Sequence, residues 1–400
     1  MKKRFLVLVI AFFLKGTLLW AQDPTNYRNN LGLAYARYGL LEEAIMEWKG
    51  VLRLNPHYPE THYNLGLAYY LKGQYEDALQ AYKKAVEIRT DYIQAHHNLG
   101  NLYYKKTLYD DAIGEWKEVI RLLPGDSETY YNLGLAYYKK GLLEDSVHNF
   151  KTAIEFSPDF PEAHHNLGRI YLEKGDLESA ETELKKAVEI NPTSARAHID
   201  LAYLYTQGGM LQEAISQYKK AIEIKPYTPE PLTNLGVLLE RTGQVDEAVI
   251  HHEAAIEANP LYVPAYLHLG KVYEEKGLME QAISTYKKAL TINPDSTEAL
   301  LDIAGLYYKK GLFNDSIQCL QKVAEKVPDK AEIYFNLALN YYRTNSLEEA
   351  ISQFNKVISI NPQFAEAHHG LARVYLDKGL LEEAALELEK AVSANPFVAG

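Results

Sequence analysis

Apolar and aromatic side chains fall along this chain at helical spacing, in short runs that stop and restart at a fixed interval. Residues 127–160 show the pattern. Tyr130, Leu133, Tyr137 and Tyr138 follow a helical period and predict an amphipathic first helix. Gly141 ends it, a second helix runs through Ser146, Phe150 and Ile154, and Pro158 closes the segment. Equivalent glycines stand at Gly39, Gly73, Gly175, Gly209, Gly243, Gly277, Gly311 and Gly379, where a left-handed helix cap is needed. Asn345 tolerates that backbone, and Thr107 is the exception. The closing proline recurs in ten of eleven segments, with Thr90 in its place in the other.

The interval is 34 residues. An Asn-Leu-Gly triplet ends at Gly32, Gly66, Gly100, Gly134 and Gly168, and the register continues through Ala202, Gly236, Gly270, Ala304, Ala338 and Ala372 without an insertion. Eleven segments follow: 25–58, 59–92, 93–126, 127–160, 161–194, 195–228, 229–262, 263–296, 297–330, 331–364 and 365–398. A second small position holds Ala44, Ala78, Ala112, Ala180, Ala214, Ala248, Ala282, Ala350 and Ala384, with Ser146 and Ser316 in the other two. Short side chains at both places let the two helices of a hairpin approach closely. The tyrosine at position 11 of the segment (Tyr35, Tyr69, Tyr103 and onward, with Leu239 in the seventh) is expected to fill the space beside them.

These features resemble the tetratricopeptide repeat family over 374 of 400 residues, about 94% of the chain. The resemblance implies an all-α fold: a right-handed superhelical α-solenoid of eleven tandem helix-turn-helix repeats, with first helices lining a concave groove. It implies a binding function without naming the ligand.

Composition narrows the partners. An apolar share of 47% excludes a disordered chain, and a net charge of −11 disfavours nucleic acid. The chain opens with basic Lys2, Lys3 and Arg4, then ten apolar residues from Phe5 to Leu14, and a small residue at Ala21. Residues 1–21 are therefore expected to be a signal peptide, cleaved before Gln22 and releasing the protein into the periplasm or beyond. The alternative is a tether formed by an uncleaved N-terminal segment. Taking Lys2, Lys3, Arg4 and Lys15 away with the leader leaves 38 basic residues against 53 acidic, a net charge of −15. Cys319 is the sole cysteine, which excludes an intrachain disulfide.

Catalytic and metal chemistry find no foothold. There is no Gly-rich phosphate loop, no nucleophile elbow and no zinc motif, so no enzyme activity and no cofactor are expected. Paired histidines (His96 with His97, His164 with His165, His251 with His252, His368 with His369) diverge by about 100° along a helix and do not converge on one metal. They are assigned to packing. Glu60, Glu128, Glu162, Glu230, Glu298, Glu332 and Glu366, near helix starts, are assigned to the helix dipole.

Asparagine carries the sharper signal. Positions 4, 7, 8 and 11 of each repeat pack inward, which leaves positions 2, 5, 6, 9, 12 and 13 on the opposite face. Position 6 holds Asn30, Asn64, Asn98, Asn132, Asn166, Asn234 and Asn336. In repeats 2–5 the candidate peptide-binding residues are Asn64, Asn98, Asn132 and Asn166, flanked by Tyr63, Tyr131, Tyr70, Tyr104 and Tyr138, with Lys105 and Lys139 favouring acidic segments. His97 and His165 share position 5 with Tyr63 and Tyr131. The lysines of the family's carboxylate clamp are missing from position 5. The groove instead resembles the asparagine-lined superhelix of O-linked N-acetylglucosamine transferase, without its catalytic domain. The expected function is an exported scaffold or adaptor that binds extended polypeptides in its groove during envelope assembly or secretion. The alternative is a non-catalytic subunit of a polysaccharide-export or cell-wall complex that works through its convex face. The last repeat is expected to self-associate or fray through Leu388, Ala391 and Val392, because no solvating helix follows it before Gly400.

Overall fold

A computed structural model describes residues 24–395. The expected signal peptide, its cleavage site at Ala21 and the closing Pro396 lie outside the described residues. Within them are twenty-two α-helices and no strand, from Pro24–Arg37 to Leu381–Ala394. First helices are 13 residues long after the initial 14-residue one, and second helices are 14. The chain forms two compact units, one through Pro192 and one from Thr193. In each unit the two helices of a repeat pack as a hairpin, and each second helix packs against the first helix of the following repeat.

The turns follow from the residues that cap them. All nine glycines expected in the left-handed region have φ between 72° and 80°; Asn345 joins them at 59° and Thr107 at 62°. Thr107 departs from the pattern in residue type only. Its N–H donates to the Tyr104 carbonyl at 2.9 Å and Leu108 N–H to Tyr103 at 2.9 Å, the bonding seen around Gly141. A β-branched residue is strained in that backbone. Thr107→Gly is therefore expected to raise stability by about 0.5–1 kcal/mol, after the extra entropy of glycine in the unfolded chain is taken off. Urea denaturation checks the sign: a loss of stability would mean that the Thr107 side chain makes a contact worth more than its strain.

Where Thr90 replaces proline, the second helix of repeat 2 still ends at Ile88, and Arg89 turns extended at φ −129° and ψ 97°. Docking of the next repeat, and not proline alone, sets that end.

The core lies between the helices of each hairpin. The ring seated on the small residue comes from position 24 of the second helix and not, as the sequence suggested, from position 11. A Cβ on Gly32 would lie 2.5 Å from Trp48, one on Gly66 2.5 Å from Tyr82, and one on Gly100 2.5 Å from Trp116. Gly134 meets Phe150 and Gly270 meets Tyr286 in the same way. These rings are almost wholly buried. In these five hairpins a bare Cα lets the aromatic face lie on the helix backbone, whereas repeats 6 and 10 seat Tyr218 and Phe354 with Ala202 and Ala338 at that position. The position-11 tyrosines serve the seam between repeats. Lys83 of repeat 2 lies 5.4 Å over the Tyr103 ring, and Lys287 lies 5.7 Å over Tyr307. Ser146 and Ser316 replace the buried alanine without penalty, because each hydroxyl donates to a carbonyl across the hairpin, Gly134 at 2.7 Å and Ala304 at 2.9 Å.

One expectation about the last repeat is corrected. Ala391 is buried, Leu388 is half-buried, and only Val392 of the three is exposed. Position 27, where Ala391 stands, is occupied in every repeat by a buried alanine or valine such as Ala85 or Val357, so it faces the hairpin interior. The exposed apolar side chains of that helix are Leu381, Leu386 and Val392.

Candidate peptide-binding face

The first helices of repeats 2–5 place the asparagines one per repeat, and the structure divides them into two kinds. Asn98 Nδ2 donates to the Tyr63 hydroxyl at 3.0 Å, and Asn166 Nδ2 donates to the Tyr131 hydroxyl at 3.1 Å. Asn166 also bonds the Glu162 carbonyl at 2.9 Å. Each of these asparagines thus ties its repeat to the one before. Asn64 and Asn132 are half-buried and make no side-chain hydrogen bond among the described residues. Their carboxamides keep two donors and one acceptor for a ligand. The cause is the preceding repeat: position 5 is tyrosine in repeats 2 and 4, but Asn29 and His97 precede Asn64 and Asn132.

Tyr63 and Tyr131 are wedged, not free. The Tyr63 ring lies 5.1 Å from Tyr92 and 5.9 Å from Tyr82; the Tyr131 ring lies 4.9 Å from Phe160 and 5.6 Å from Phe150. Burial pushes both phenols above the ordinary tyrosine pKa. Tyr70 is more open and packs 5.6 Å from Tyr75, with Lys105 lying 5.3 Å over its ring and 4.5 Å over that of Tyr75. Tyr104 packs on Tyr109 at 5.4 Å and Trp116 at 5.9 Å. The Tyr138 hydroxyl donates to Glu173, and Lys139 stands exposed without an ion pair among the described residues. His97 lies 3.9 Å from Glu128 and within 3.3 Å of Asn101.

Three ladders between side chains escaped the sequence reading, although each has a fixed offset. Position 12 of one repeat meets position 13 of the next, 35 residues on: Tyr138 with Glu173, Glu274 with Lys309 at 2.7 Å, Tyr308 with Arg343 at 3.2 Å and Tyr342 with Asp377 at 2.6 Å. At an offset of 30, the lysine at the end of a first helix reaches an acid in the preceding hairpin. Lys72 meets Glu42 at 2.5 Å and Lys174 meets Glu144 at 2.6 Å, and Lys106, Lys140, Lys276, Lys310 and Lys378 pair with Glu76, Asp110, Asp246, Glu280 and Glu348. Such exposed pairs are weakened by solvent screening and set register more than stability.

The third ladder, at an offset of 19, accounts for three of the eight paired histidines. His96 Nδ1 faces Glu115 at 2.6 Å, His164 faces Glu183 at 2.6 Å, and His368 faces Glu387 at 2.5 Å. The other ring nitrogen faces a backbone carbonyl: Thr90 at 3.0 Å, Pro158 at 2.9 Å and Pro362 at 3.1 Å. The Glu115 bond holds the His96 pKa above its usual value against burial. For His164 burial is the largest influence and lowers the pKa, but the Glu183 and Pro158 bonds together outweigh it. Among the described residues no group of three or more His, Cys, Asp or Glu is placed to hold a metal ion, and no helix is long and apolar enough to cross a membrane. Burial raises the Cys319 thiol pKa.

Comparison with known families gives matches along nearly the whole described chain. A model described as TPR repeat matches residues 32–73, 66–106, 109–141, 138–175 and 339–379. Models described as Tetratricopeptide repeat match 159–227, 233–297, 275–340 and 365–397. Comparison with curated proteins gives no match. Similar solved structures include YrrB, described as a TPR protein with an unusual peptide-binding site: 25% identity, 45% of this chain and 92% of that one, TM-score 0.42. The crystal structure of MamA is 28% identical over 41% of this chain and 96% of that one, TM-score 0.39. PilF of Pseudomonas aeruginosa is 25% identical over 50% and 92%, TM-score 0.45.

Proposed function

Because the chain belongs to the tetratricopeptide repeat family, whose repeats bind protein or peptide partners, we propose that it is an exported scaffold that holds extended polypeptides during envelope assembly or secretion. The repeats themselves make it a protein–protein interaction scaffold. The observation that carries the finer reading is the pair of unengaged carboxamides, Asn64 and Asn132, on a face stiffened by Asn98 with Tyr63 and Asn166 with Tyr131. A carboxamide pairs with a peptide N–H and C=O together and ignores the ligand's side chains, so many sequences are accepted. Neighbouring first helices at about 10 Å, the usual packing distance, put these two residues about 20 Å apart, or about six residues of extended chain. Tyr70, Tyr104 and Tyr138 offer apolar contact beside them, and Lys105 and Lys139 favour acidic stretches.

The test is selection from a displayed library of random decapeptides on the whole mature chain. Against the selected peptides, Asn64→Ala with Asn132→Ala is expected to weaken binding about tenfold or more, at about 0.5–1.5 kcal/mol for each lost hydrogen bond. Helicity and Tm should stay unchanged, since neither side chain bonds within the fold. Full affinity in the double variant would sink the reading.

Export rests on the basic start and apolar run before Ala21. Fractionation and N-terminal sequencing are expected to recover a soluble protein outside the cytoplasm that begins near Gln22. An intact leader in the membrane fraction would mean a tether.

A further inference from the structure

Repeats 9 and 10, in the second unit, line an open cavity of about 900 Å³. Position 9, filled by leucine in four other repeats, is bare here. Position 24 holds Leu320, as repeats 5 and 11 hold Leu184 and Leu388, where the flanking repeats 8 and 10 hold Tyr286 and Phe354. Position 9 carries Leu33, Leu67, Leu135 and Leu339 in other repeats, but Gly305 in repeat 9, and a Cβ there would meet nothing within 4 Å. Such a volume falls in the range of about 300–1,000 Å³ usual for ligand clefts.

The cavity is lined by a polar group that the fold leaves unsatisfied. Asn340 occupies position 10, where other repeats carry alanine, leucine, isoleucine or valine, and it is 2% exposed. Its Nδ2 donates to the Asn336 carbonyl at 2.8 Å, while its Oδ1 is buried without a partner. Asp302, on the same lining, has Oδ2 buried without a well-formed hydrogen bond among the described residues, although the Tyr286 hydroxyl and Lys271 lie near it, and burial raises its carboxyl pKa. Leaving a buried acceptor unpaired is destabilising, a cost that a packed leucine at position 340 would remove. Asp329 and Glu332 add negative charge to the lining, and Lys309, one of its two lysines, is tied to Glu274 at 2.7 Å.

We propose that this cavity takes a basic side chain, lysine or arginine, of a bound polypeptide. Its aliphatic stem would lie on Leu301, Ile333 and Leu339, and its N–H donors would reach the Asn340 and Asp302 acceptors. The proposal rests on the polypeptide-binding reading above and adds side-chain selectivity in the second unit.

The same decapeptide selection tests it, run on the whole mature chain in three forms: wild type, Gly305→Leu and Asn340→Leu. Gly305→Leu fills the opening with the residue that four other repeats carry there. Asn340→Leu removes the acceptor and is expected to raise Tm, so a loss of selectivity cannot be laid to unfolding. Wild type should enrich lysine or arginine at one fixed position of the recovered peptides, and both variants should lose that enrichment while still recovering peptides. Changing the basic residue of a selected peptide to glutamine should weaken it about tenfold or more against wild type, and under twofold against Asn340→Leu. Enrichment without a basic position, or a basic position kept in both variants, overturns the cavity proposal and leaves the asparagine reading standing. Recovery of no peptide by any form overturns both.

Discussion

Trp116→Ala is expected to destabilise the protein by about 3–5 kcal/mol, the range for deleting a fully buried aromatic ring. The ring is 1% exposed and lies on bare Gly100, among Leu99, Leu102, Ala112, Ile113 and Leu133. Its indole N–H has no partner among the described residues, so the loss is one of packing and not of a hydrogen bond. Repeat arrays hold together through neighbouring contacts, so the damage should be local. Amide exchange should quicken first in residues 75–139, while residues 193–395 keep their protection. A partner variant sharpens the test. Repeat 9 pairs Ala304 with Leu320 where repeat 3 pairs Gly100 with Trp116. Gly100→Ala alone drives a methyl to 2.5 Å from the indole. Combined with Trp116→Leu it should cost less than the two single changes added together, with a coupling of about 1 kcal/mol or more. Strict additivity would show that the glycine and the ring are not matched to one another.

The second large effect belongs to the histidine–glutamate pairs. Glu183→Ala is expected to cost about 1.5–3 kcal/mol near pH 6, the value of a hydrogen bond to a charged group. Its partner His164 is buried, and the His164 ring faces an acceptor on both sides, which only the doubly protonated imidazolium can satisfy. Folding raises the pKa of His164 and of His96 above the ordinary histidine value of about 6.5. Their contribution is therefore fully present below about pH 6.5 and is lost as pH rises through the higher folded value. His62, His251 and His268 run the other way: burial lowers their pKa, so their share is lost as pH falls from 6.5 through the folded value. The total curve mixes the two groups. The difference between wild type and Glu115→Gln with Glu183→Gln isolates the first, and it should shrink steadily above pH 6.5. A difference that stays flat from pH 5.5 to 9 would show that these histidines are neutral in the fold.

Much of the architecture was legible from residue type. A 3.6-residue period, a glycine that needs positive φ and a proline that refuses helix are local signals, and they placed Gly141, Pro158 and the eleven hairpins in register. Interactions between repeats were not legible, because they depend on which side chains meet across the seam. Asn64 and Asn98 occupy equivalent positions and read alike in sequence. They differ only because Asn29 precedes one and Tyr63 the other by 35 residues. The ring on each glycine was misassigned to position 11 for a similar reason. Both positions favour tyrosine in several repeats, and only the packing shows that Tyr82 and not Tyr69 sits against Gly66. The cleft at Gly305 was the hardest to see, since it is marked by the absence of a side chain at one position.

The lysine-to-acid ladder has a consequence for how such a chain changes length. Each lysine meets its acid 30 residues upstream, and both partners recur at the 34-residue period. Excising residues 93–126 would remove Lys106 and Asp110 together and bring Lys140 opposite Glu76, an acid already in place. A splice of 33 or 35 residues would leave the lysine that spans the junction one residue out of phase with its acid. The ladder thus makes the repeats behave as interchangeable parts with a common coupling. Tyr38, Gly208, Thr242 and Thr344, which replace the lysine, mark repeats that do not carry the standard fitting at their leading edge.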